Sequence, residues 1–176
     1  GFVFKTLADP YVGRMSFVKV LSGYLEPGME LTNARTKKKE RLSHLYVMMG
    51  KEVNDVKSAK AGDIIVVPKM NETQTGDTLS VSGELEVDPL PMPVPLYPVA
   101  IQAKNKKDED KLGTFLSKQA EIDPTIRLVR YDETHQLVIF TMGDMQVDVL
   151  LNRLQKQANI DVELVPVRIP YRETIQ

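Results

Sequence analysis

The sequence contains no cysteine, no tryptophan and only two histidines among its 176 residues. Without cysteine the chain can form no disulfide bond, no thiolate zinc site and no cysteine nucleophile. Two histidines are too few to build a metal centre from imidazole ligands alone. The composition therefore argues against thiol enzymes and against histidine-based metalloenzymes.

Long apolar runs are also missing, and so is an excess of charge of either sign. Every apolar run is well short of the roughly 18 residues that a membrane-spanning helix needs, so we expect no membrane partner. The 23 basic and 24 acidic side chains give a net charge of −1, which argues against bulk attraction to nucleic acid. Any contact with a polyanion must then be local. The absence of cysteine makes the cytoplasm the expected location.

Prolines are concentrated in one place, since five of the eleven lie between positions 89 and 98. Proline fixes its own φ, lacks an N–H and holds the preceding residue in an extended conformation. We therefore predict a stiff connector over residues 89–98, centred on Pro91, Pro93 and Pro95. It would join a first domain at 1–88 to a second at 99–176, each of which buries its own core.

Residues before the connector have the pattern of an all-β domain. Short β-branched runs such as Phe17–Leu21 and Ile64–Val67 end at glycine, serine or proline, at spacings suited to hairpins. A closed sheet leaves no exposed edges. We therefore predict a small closed β-barrel for the first domain.

The hydrophobic period changes after the connector. Apolar residues recur at helical spacing in two stretches, and alternating segments surround them. The predicted elements are a strand at 99–103, a helix at 108–121, strands at 126–131 and 136–141, a helix over about 147–158 and a strand at 161–165. This βαββαβ order is that of a ferredoxin-like α+β domain, whose two helices would cover one sheet face and leave the other available to a neighbour.

Residues able to carry out catalysis are few. The single Gly-Lys pair, Gly50-Lys51, is followed by Glu52, so there is no phosphate-binding loop of the nucleotide-hydrolase type. We interpret His44 as a strand residue and His135 as a loop residue. The acidic run Asp108–Asp110 begins a predicted helix, where negative charge is favourable, so we interpret it as a capping feature and not as a metal site. We expect no catalytic residue, no metal and no bound cofactor in these two domains.

One cluster of positive charge stands out between two predicted strands. It has five basic residues and one acidic residue within seven positions, and its basic members are Arg35, Lys37, Lys38, Lys39 and Arg41. A basic loop can displace counterions from phosphates without a basic domain around it. A solvated hairpin tip that serves only solubility is an equal alternative. No aromatic stacking platform accompanies the cluster, so sequence-specific reading of single strands is not indicated.

The start of the second predicted helix is another candidate contact. Its residues are Thr141, Met142, Gly143, Asp144 and Gln146. A strand-to-helix junction with a glycine is explained by backbone geometry alone. Free N–H groups at a helix start could also meet another domain or an RNA phosphate.

Several short motifs in a fixed order resemble one family, bacterial elongation factor G and its close relatives. Those of the first half resemble its second domain: Phe4–Arg14, Val18–Gly23, Ala61–Ile64 and Thr75–Leu79. Those of the second half resemble its third domain: Asp108–Lys111, Glu121–Thr125, Met142–Asp144 and Tyr171–Ile175. The resemblance covers essentially the whole chain.

The resemblance implies the middle part of a translational GTPase, an expectation that the absence of an initiator methionine at Gly1 supports. Guanosine triphosphate and its magnesium ion would then belong to a GTPase domain that precedes this chain. The implied partners are the ribosome, through its RNA and proteins, and the GTPase and distal domains of the same protein. We expect these two domains to be non-catalytic and monomeric, and to couple the GTPase domain to the distal domains during translocation or ribosome recycling.

Two departures from the family pattern point to a paralogue of the housekeeping factor. Gln146 stands where the family has a characteristic histidine, and Lys19 stands where arginine is usual. A ribosome-protection GTPase of the tetracycline-resistance type, with the same domain plan, is the alternative parent. A stand-alone enzyme on a ferredoxin-like scaffold is a third hypothesis, but it lacks a plausible set of catalytic residues.

Overall fold

A computed structural model describes residues 1–9, 13–50, 52–169, 171 and 173 of the chain. It divides into two compact units, Gly1–Pro91 and Met92–Gln176. No helix in this described part is long and apolar enough to span a bilayer. The boundaries at 88 and 99 that the proline pattern suggests stay a prediction.

In the described residues of the first unit there are ten strands, which form three antiparallel sheets. The sheets have the orders β1-β2-β9-β6-β7, β10-β4-β5 and β3-β8. The strands are β1 (Phe2–Asp9), β2 (Gly13–Lys19), β3 (Tyr24–Leu25), β4 (Glu30–Asn33), β5 (Lys39–Arg41), β6 (Tyr46–Met49), β7 (Glu52–Asp55), β8 (Ala59–Lys60), β9 (Ile64–Pro68) and β10 (Leu79–Ser80).

The β-rich character of this unit is confirmed, but the described strands are not closed into a barrel. The strands of the two smaller sheets have only two to four residues each, so their ladders end at turns before they can meet the larger sheet. Between β1 and the β10 region the link is an isolated bridge, Phe2 to Thr78, with nearby backbone hydrogen bonds such as that from the Val3 N–H to the Asp77 carbonyl (2.9 Å). The three sheets instead surround one apolar core.

That core forms because alternate residues of the long strands point inward. Val18 of β2 and Val20, which directly follows β2, are completely buried. Ile65 and Val67 of β9 are also completely buried. They share the core with leucines from the shorter strands and the turns between them: Leu25, Leu31, Leu42, Leu45 and Leu79.

The second unit has the predicted βαββαβ order, which is thereby confirmed. Its sheet has the order β12-β13-β11-β14, and all neighbouring strands are antiparallel. The elements are β11 (Tyr97–Ala103), a short 3-10 helix (Lys106–Asp108), α1 (Glu109–Ile122), β12 (Arg127–Tyr131), β13 (Gln136–Thr141), α2 (Asp144–Ala158) and β14 (Val162–Val165).

The first strand of this unit begins two residues earlier than the apolar pattern indicates. Tyr97 and Pro98, which the sequence places in the connector, pair with Thr141 and Phe140 of β13. Proline is tolerated there because β14 pairs only with Ala100–Ala103, so Pro98 has a strand partner on one side.

Both helices pack on one face of the sheet. Leu112 and Leu116 of α1 and Leu150 and Leu154 of α2 form a core with Ile101, Ile139 and other sheet residues. The opposite face carries the alternate residues, among them the paired Ala100 and Val138. Both are fully buried, and the expectation that this face is available to a neighbour stays a prediction.

Candidate nucleic-acid interface

The basic cluster occupies the turn between β4 and β5 and then continues into β5 itself. The side-chain oxygen of Asn33 accepts hydrogen bonds from the N–H groups of Arg35 (2.9 Å) and Thr36 (3.2 Å), which fixes the turn. Lys37 adopts a left-handed conformation with φ of 58° and donates its N–H to the Asn33 carbonyl (2.8 Å). The hairpin tip is therefore a defined turn with its own hydrogen bonds.

Strand β5 alternates between solvent and interior. Lys39 and Arg41 are exposed, whereas Glu40 between them is buried. The Glu40 carboxylate accepts hydrogen bonds from the Glu72 N–H (2.8 Å) and the Thr73 hydroxyl (3.0 Å). Because Glu40 holds the strand against the 72–77 segment, the side chains of Lys39 and Arg41 both point outward.

Arg35 binds a buried carboxylate instead of projecting into solvent. Its Nε lies 2.7 Å from Oδ1 of Asp77, and its Nη2 lies 2.9 Å from Oδ2. The same Nη2 donates to the Glu72 carbonyl (3.1 Å). Planar, bidentate pairing of this kind is the strong form of an arginine–carboxylate contact. Arg35 therefore has a structural role within the first unit.

Asp77 is 5% exposed and accepts two further hydrogen bonds, from Asn33 Nδ2 (2.7 Å) and the Gln74 N–H (2.8 Å). Burial alone would raise its pKa. The hydrogen bonds from Arg35, Asn33 and Gln74, together with the charge of Arg35, outweigh burial and hold the pKa of Asp77 below the ordinary value of 3.8. The Asp77 contact in turn raises the pKa of Arg35. Both groups are therefore charged at neutral pH.

Three of the remaining cations also have protein partners. Lys38 Nζ lies 2.8 Å from Glu72 Oε1, and Lys37 Nζ donates to the Gly83 carbonyl at 3.1 Å. Lys39 lies 3.8 Å from Glu30 in a loose pair, with 74% of its side chain exposed. Exposed pairs of this kind are weak and are exchanged readily for another anion.

Lys39 and Arg41 are thus the pair of cations on this hairpin that stand outward from one strand, two positions apart. Successive outward residues of a strand are separated by roughly 6.5–7 Å, so both cations can contact one phosphate backbone. The five basic residues of the cluster are divided into one structural arginine, two lysines held by local contacts, and two outward cations suited to phosphates.

Gln146 connects the start of α2 to the turn between α1 and β12. Its Oε1 accepts the Met142 N–H (2.7 Å), and its Nε2 donates to Thr125 Oγ1 (2.9 Å) and Asp123 Oδ2 (3.1 Å). Asp123 also accepts from the N–H and the hydroxyl of Thr125. The residue that departs from the family pattern is therefore the centre of a local hydrogen-bond network.

The rest of the junction is partly committed to internal contacts. The Thr141 hydroxyl lies 3.2 Å from the Gly143 carbonyl and 3.4 Å from the Tyr97 carbonyl, and its single hydrogen can be donated to either. Asp144 Oδ1 accepts the N–H of Met145 (2.8 Å). Gly143 has φ of 166°, an extended conformation open to any residue. The junction lies in the second unit, whereas the basic hairpin lies in the first.

Residues 84–96, which include most of the connector, have neither helix nor strand. Pro91 and Pro93 are exposed, whereas Pro95 is buried. The three prolines are therefore not equivalent in their burial.

The other titratable residues that the sequence draws attention to have ordinary surroundings. His44 lies between β5 and β6 and not within a strand as the sequence suggests, and its ring stacks on Tyr46 with centroids 5.9 Å apart. His135 occupies the β12–β13 turn, as expected, with φ of 50°. Asp108 pairs with Lys111 at 3.2 Å. Within the described ranges no group of three or more acidic or histidine side chains is placed to hold a metal ion.

Sequence reasoning missed Asp77 and Glu40, the two buried carboxylates that hold the hairpin. The local signal in the sequence is a charged residue that lies next to a hydroxyl or apolar residue, as in Asp77-Thr78-Leu79. Such a signal does not identify the partner, because Arg35 and Asp77 are 42 positions apart.

Comparison with known proteins gives the same family for both units. Residues 1–82 match the model of elongation factor G domain 2, and residues 92–166 match that of elongation factor G domain III. A crystal structure from Thermus thermophilus is similar over 99% of this chain, with 35% sequence identity and a TM-score of 0.81. The chain spans 26% of the length of that structure. The resemblance seen in the sequence is confirmed.

Proposed function

We propose that these two domains are the ribosome-contacting, non-catalytic part of a GTPase of the elongation factor G family. The chain belongs to that family, because it carries the family's domain 2 followed by its domain III. The main observation in support is that the two halves of the chain match two consecutive domains of one factor. In the full-length protein, guanosine triphosphate and magnesium would be held by a separate GTPase domain. The two domains would couple that GTPase domain to distal domains during protein synthesis on the cytoplasmic ribosome.

Lys39 and Arg41 are the residues to which we assign contact with ribosomal RNA. Their outward placement on one strand supports binding to neighbouring phosphates, and each neutralised phosphate releases condensed counterions. Arg35 is assigned no direct contact, because its guanidinium is already paired with Asp77. Its role is to hold the hairpin in the conformation that presents Lys39 and Arg41.

The connector supports a mechanical role. A proline-rich segment without helix or strand is a semi-rigid spacer, and two compact units joined by one can reorient as bodies. The nucleotide state of the GTPase domain would bias that orientation. Gln146 in place of the family histidine supports a divergent member whose step, translocation, recycling or another, differs from that of the housekeeping factor.

The salt dependence of ribosome association tests the RNA contact. In the full-length protein, Lys39→Ala with Arg41→Ala should flatten the slope of log K against log salt by about one to two, since each phosphate contact contributes roughly 0.7–0.9. Lys57→Ala with Lys60→Ala removes the same charge from the same domain and is the matched control. An unchanged slope in the variant with Lys39→Ala and Arg41→Ala would mean that these cations contribute only to solubility.

Nucleotide binding tests whether guanosine triphosphate is held by a separate GTPase domain and not by these two domains. The 176-residue chain should give no heat on titration with guanosine triphosphate and magnesium in calorimetry. Measurable binding would contradict the assignment of the nucleotide to another domain.

A further inference from the structure

The side chain of Gln136 binds the backbone of the segment that follows the last strand of the second unit. Gln136 Nε2 donates to the Pro166 carbonyl (2.9 Å), and Gln136 Oε1 accepts the Arg168 N–H (2.8 Å). One amide thus uses a donor and an acceptor on two alternate residues, which is the pattern a neighbouring strand would offer. Gln136 itself is 8% exposed.

The register of the sheet shows that the chain must leave the β14 ladder to make this contact. Val165 pairs with Ala100 and Glu163 with Gln102, so continuation of β14 would bring Pro166 beside Val99. Gln136 lies on β13 at the level of Gln102, because its neighbour Leu137 pairs with Ile101. Along the strand direction, Gln136 and Val99 therefore lie on opposite sides of Ala100. The chain therefore turns away after Val165 and passes over the sheet face toward β13. We call residues 166–169 the strap.

The strap lies on the face without helices. Gln136 is two positions from Val138, whose side chain is on the face opposite the helical core, and it shares that face with Ala100. The strap has no helix or strand hydrogen bonds of its own, and its four residues are exposed. Among the described residues, the hydrogen bonds recorded from the strap to the sheet are the two made by Gln136.

We propose that Gln136 is a latch for the strap, and that the strap opens and closes around this one side chain while the four-stranded sheet stays folded. The basis is the contrast between a buried, fixed amide on β13 and a segment that makes no ladder contacts. The strap begins at the last residue that matches the domain III model, so latch state would set the direction in which the chain leaves this domain. That consequence rests on the proposed function, whereas the latch itself does not.

Amide hydrogen exchange of the 176-residue chain, followed by NMR, tests the latch. In the native chain the Arg168 amide should exchange about tenfold more slowly than that of Ile169, relative to their intrinsic rates, since a net hydrogen bond is worth up to about one decade. In Gln136→Leu, which keeps the volume but cannot hydrogen bond, this protection should disappear while the β11 and β13 ladder amides stay within about twofold. Gln102→Leu, a neighbouring glutamine on the same face that donates to Glu163, is the control and should leave Arg168 protected.

Gln136→Glu supplies an independent test if the leucine variant fails to fold. A protonated carboxyl can donate to the Pro166 carbonyl and accept from the Arg168 N–H, whereas an ionised one repels the carbonyl. Since the ionised carboxylate loses the donor to Pro166 but is a stronger acceptor for the Arg168 N–H, the protection of Arg168 should be present at low pH and change as the carboxyl ionises, while the β11 and β13 ladder amides stay unchanged. Arg168 protection that does not follow this ionisation would contradict the latch. Arg168 protection that survives Gln136→Leu, or that falls only together with the ladder amides, would overturn the latch. Neither result bears on ribosome association, so failure of the latch and failure of the proposed function are distinguishable.

Discussion

The guanidinium of Arg35 and the carboxylate of Asp77 form a bidentate pair, with Nε 2.7 Å from Oδ1 and Nη2 2.9 Å from Oδ2. The two residues are 42 positions apart, and Asp77 is buried. The contact joins the β4–β5 turn to the residues before β10. The most conspicuous arginine of the basic cluster is thus part of the scaffold that supports the cluster.

Removal of Arg35 should destabilise the first unit. Arg35→Ala leaves Asp77 buried without its charged partner, so we expect a loss of about 1.5–3 kcal/mol in the free energy of unfolding. Lys38→Ala removes an exposed pair with Glu72 and should cost less than about 1 kcal/mol. Urea unfolding of both variants gives the comparison. Equal effects would mean that Arg35 behaves as an ordinary surface residue.

The Asp77 contact also predicts a pH dependence. Since the folded-state pKa of Asp77 lies below its ordinary value of 3.8, the carboxylate stabilises the fold fully above that value. This stabilisation is lost as the pH falls through the folded-state pKa. The difference in unfolding free energy between the native chain and Asp77→Asn should therefore be large at pH 7 and shrink below about pH 4. A difference that is constant from pH 7 to pH 3 would contradict the lowered pKa.

Gln146 should be important for the stability of the second unit. Gln146→Ala breaks its hydrogen bonds to Met142, Thr125 and Asp123, so we expect a loss of about 1–3 kcal/mol. Gln157→Ala changes an exposed glutamine on the same helix and should stay within about 0.5 kcal/mol. Thermal unfolding measures both. If the two variants unfold alike, the network around Gln146 contributes nothing to stability.

Glycine in place of the exposed connector prolines should loosen the joint without unfolding either unit. Pro91→Gly with Pro93→Gly removes two fixed φ angles and should broaden the distribution of distances between the units in small-angle scattering. The thermal unfolding of each unit should be unchanged. Pro124→Gly, in the turn between α1 and β12, is the control and should leave the scattering as it is. Identical scattering from the native chain, the variant with Pro91→Gly and Pro93→Gly, and Pro124→Gly would count against a stiff connector.

Local patterns were enough to predict much of the fold. The helical spacing of Leu112 and Leu116 and the alternation in β13 depend on neighbours in sequence, so the βαββαβ order could be derived from them. Whether the sheets of the first unit close into a barrel depends on where the short strands end, and no local pattern specifies this. The turn position of Arg35 was predictable, but its pairing with Asp77 was not, because burial of that carboxylate is a tertiary property.

We propose that the outward side of β5 lies against ribosomal RNA, and a tethered cleavage probe tests this contact most directly. The chain has no cysteine, so Lys39→Cys gives a single attachment point in these two domains for an iron chelate that generates hydroxyl radicals. With other cysteines of the full-length protein replaced, the ribosome-bound factor should cleave ribosomal RNA at sites absent from the same protein without the Lys39→Cys change. Binding to the ribosome without any such cleavage would contradict the account.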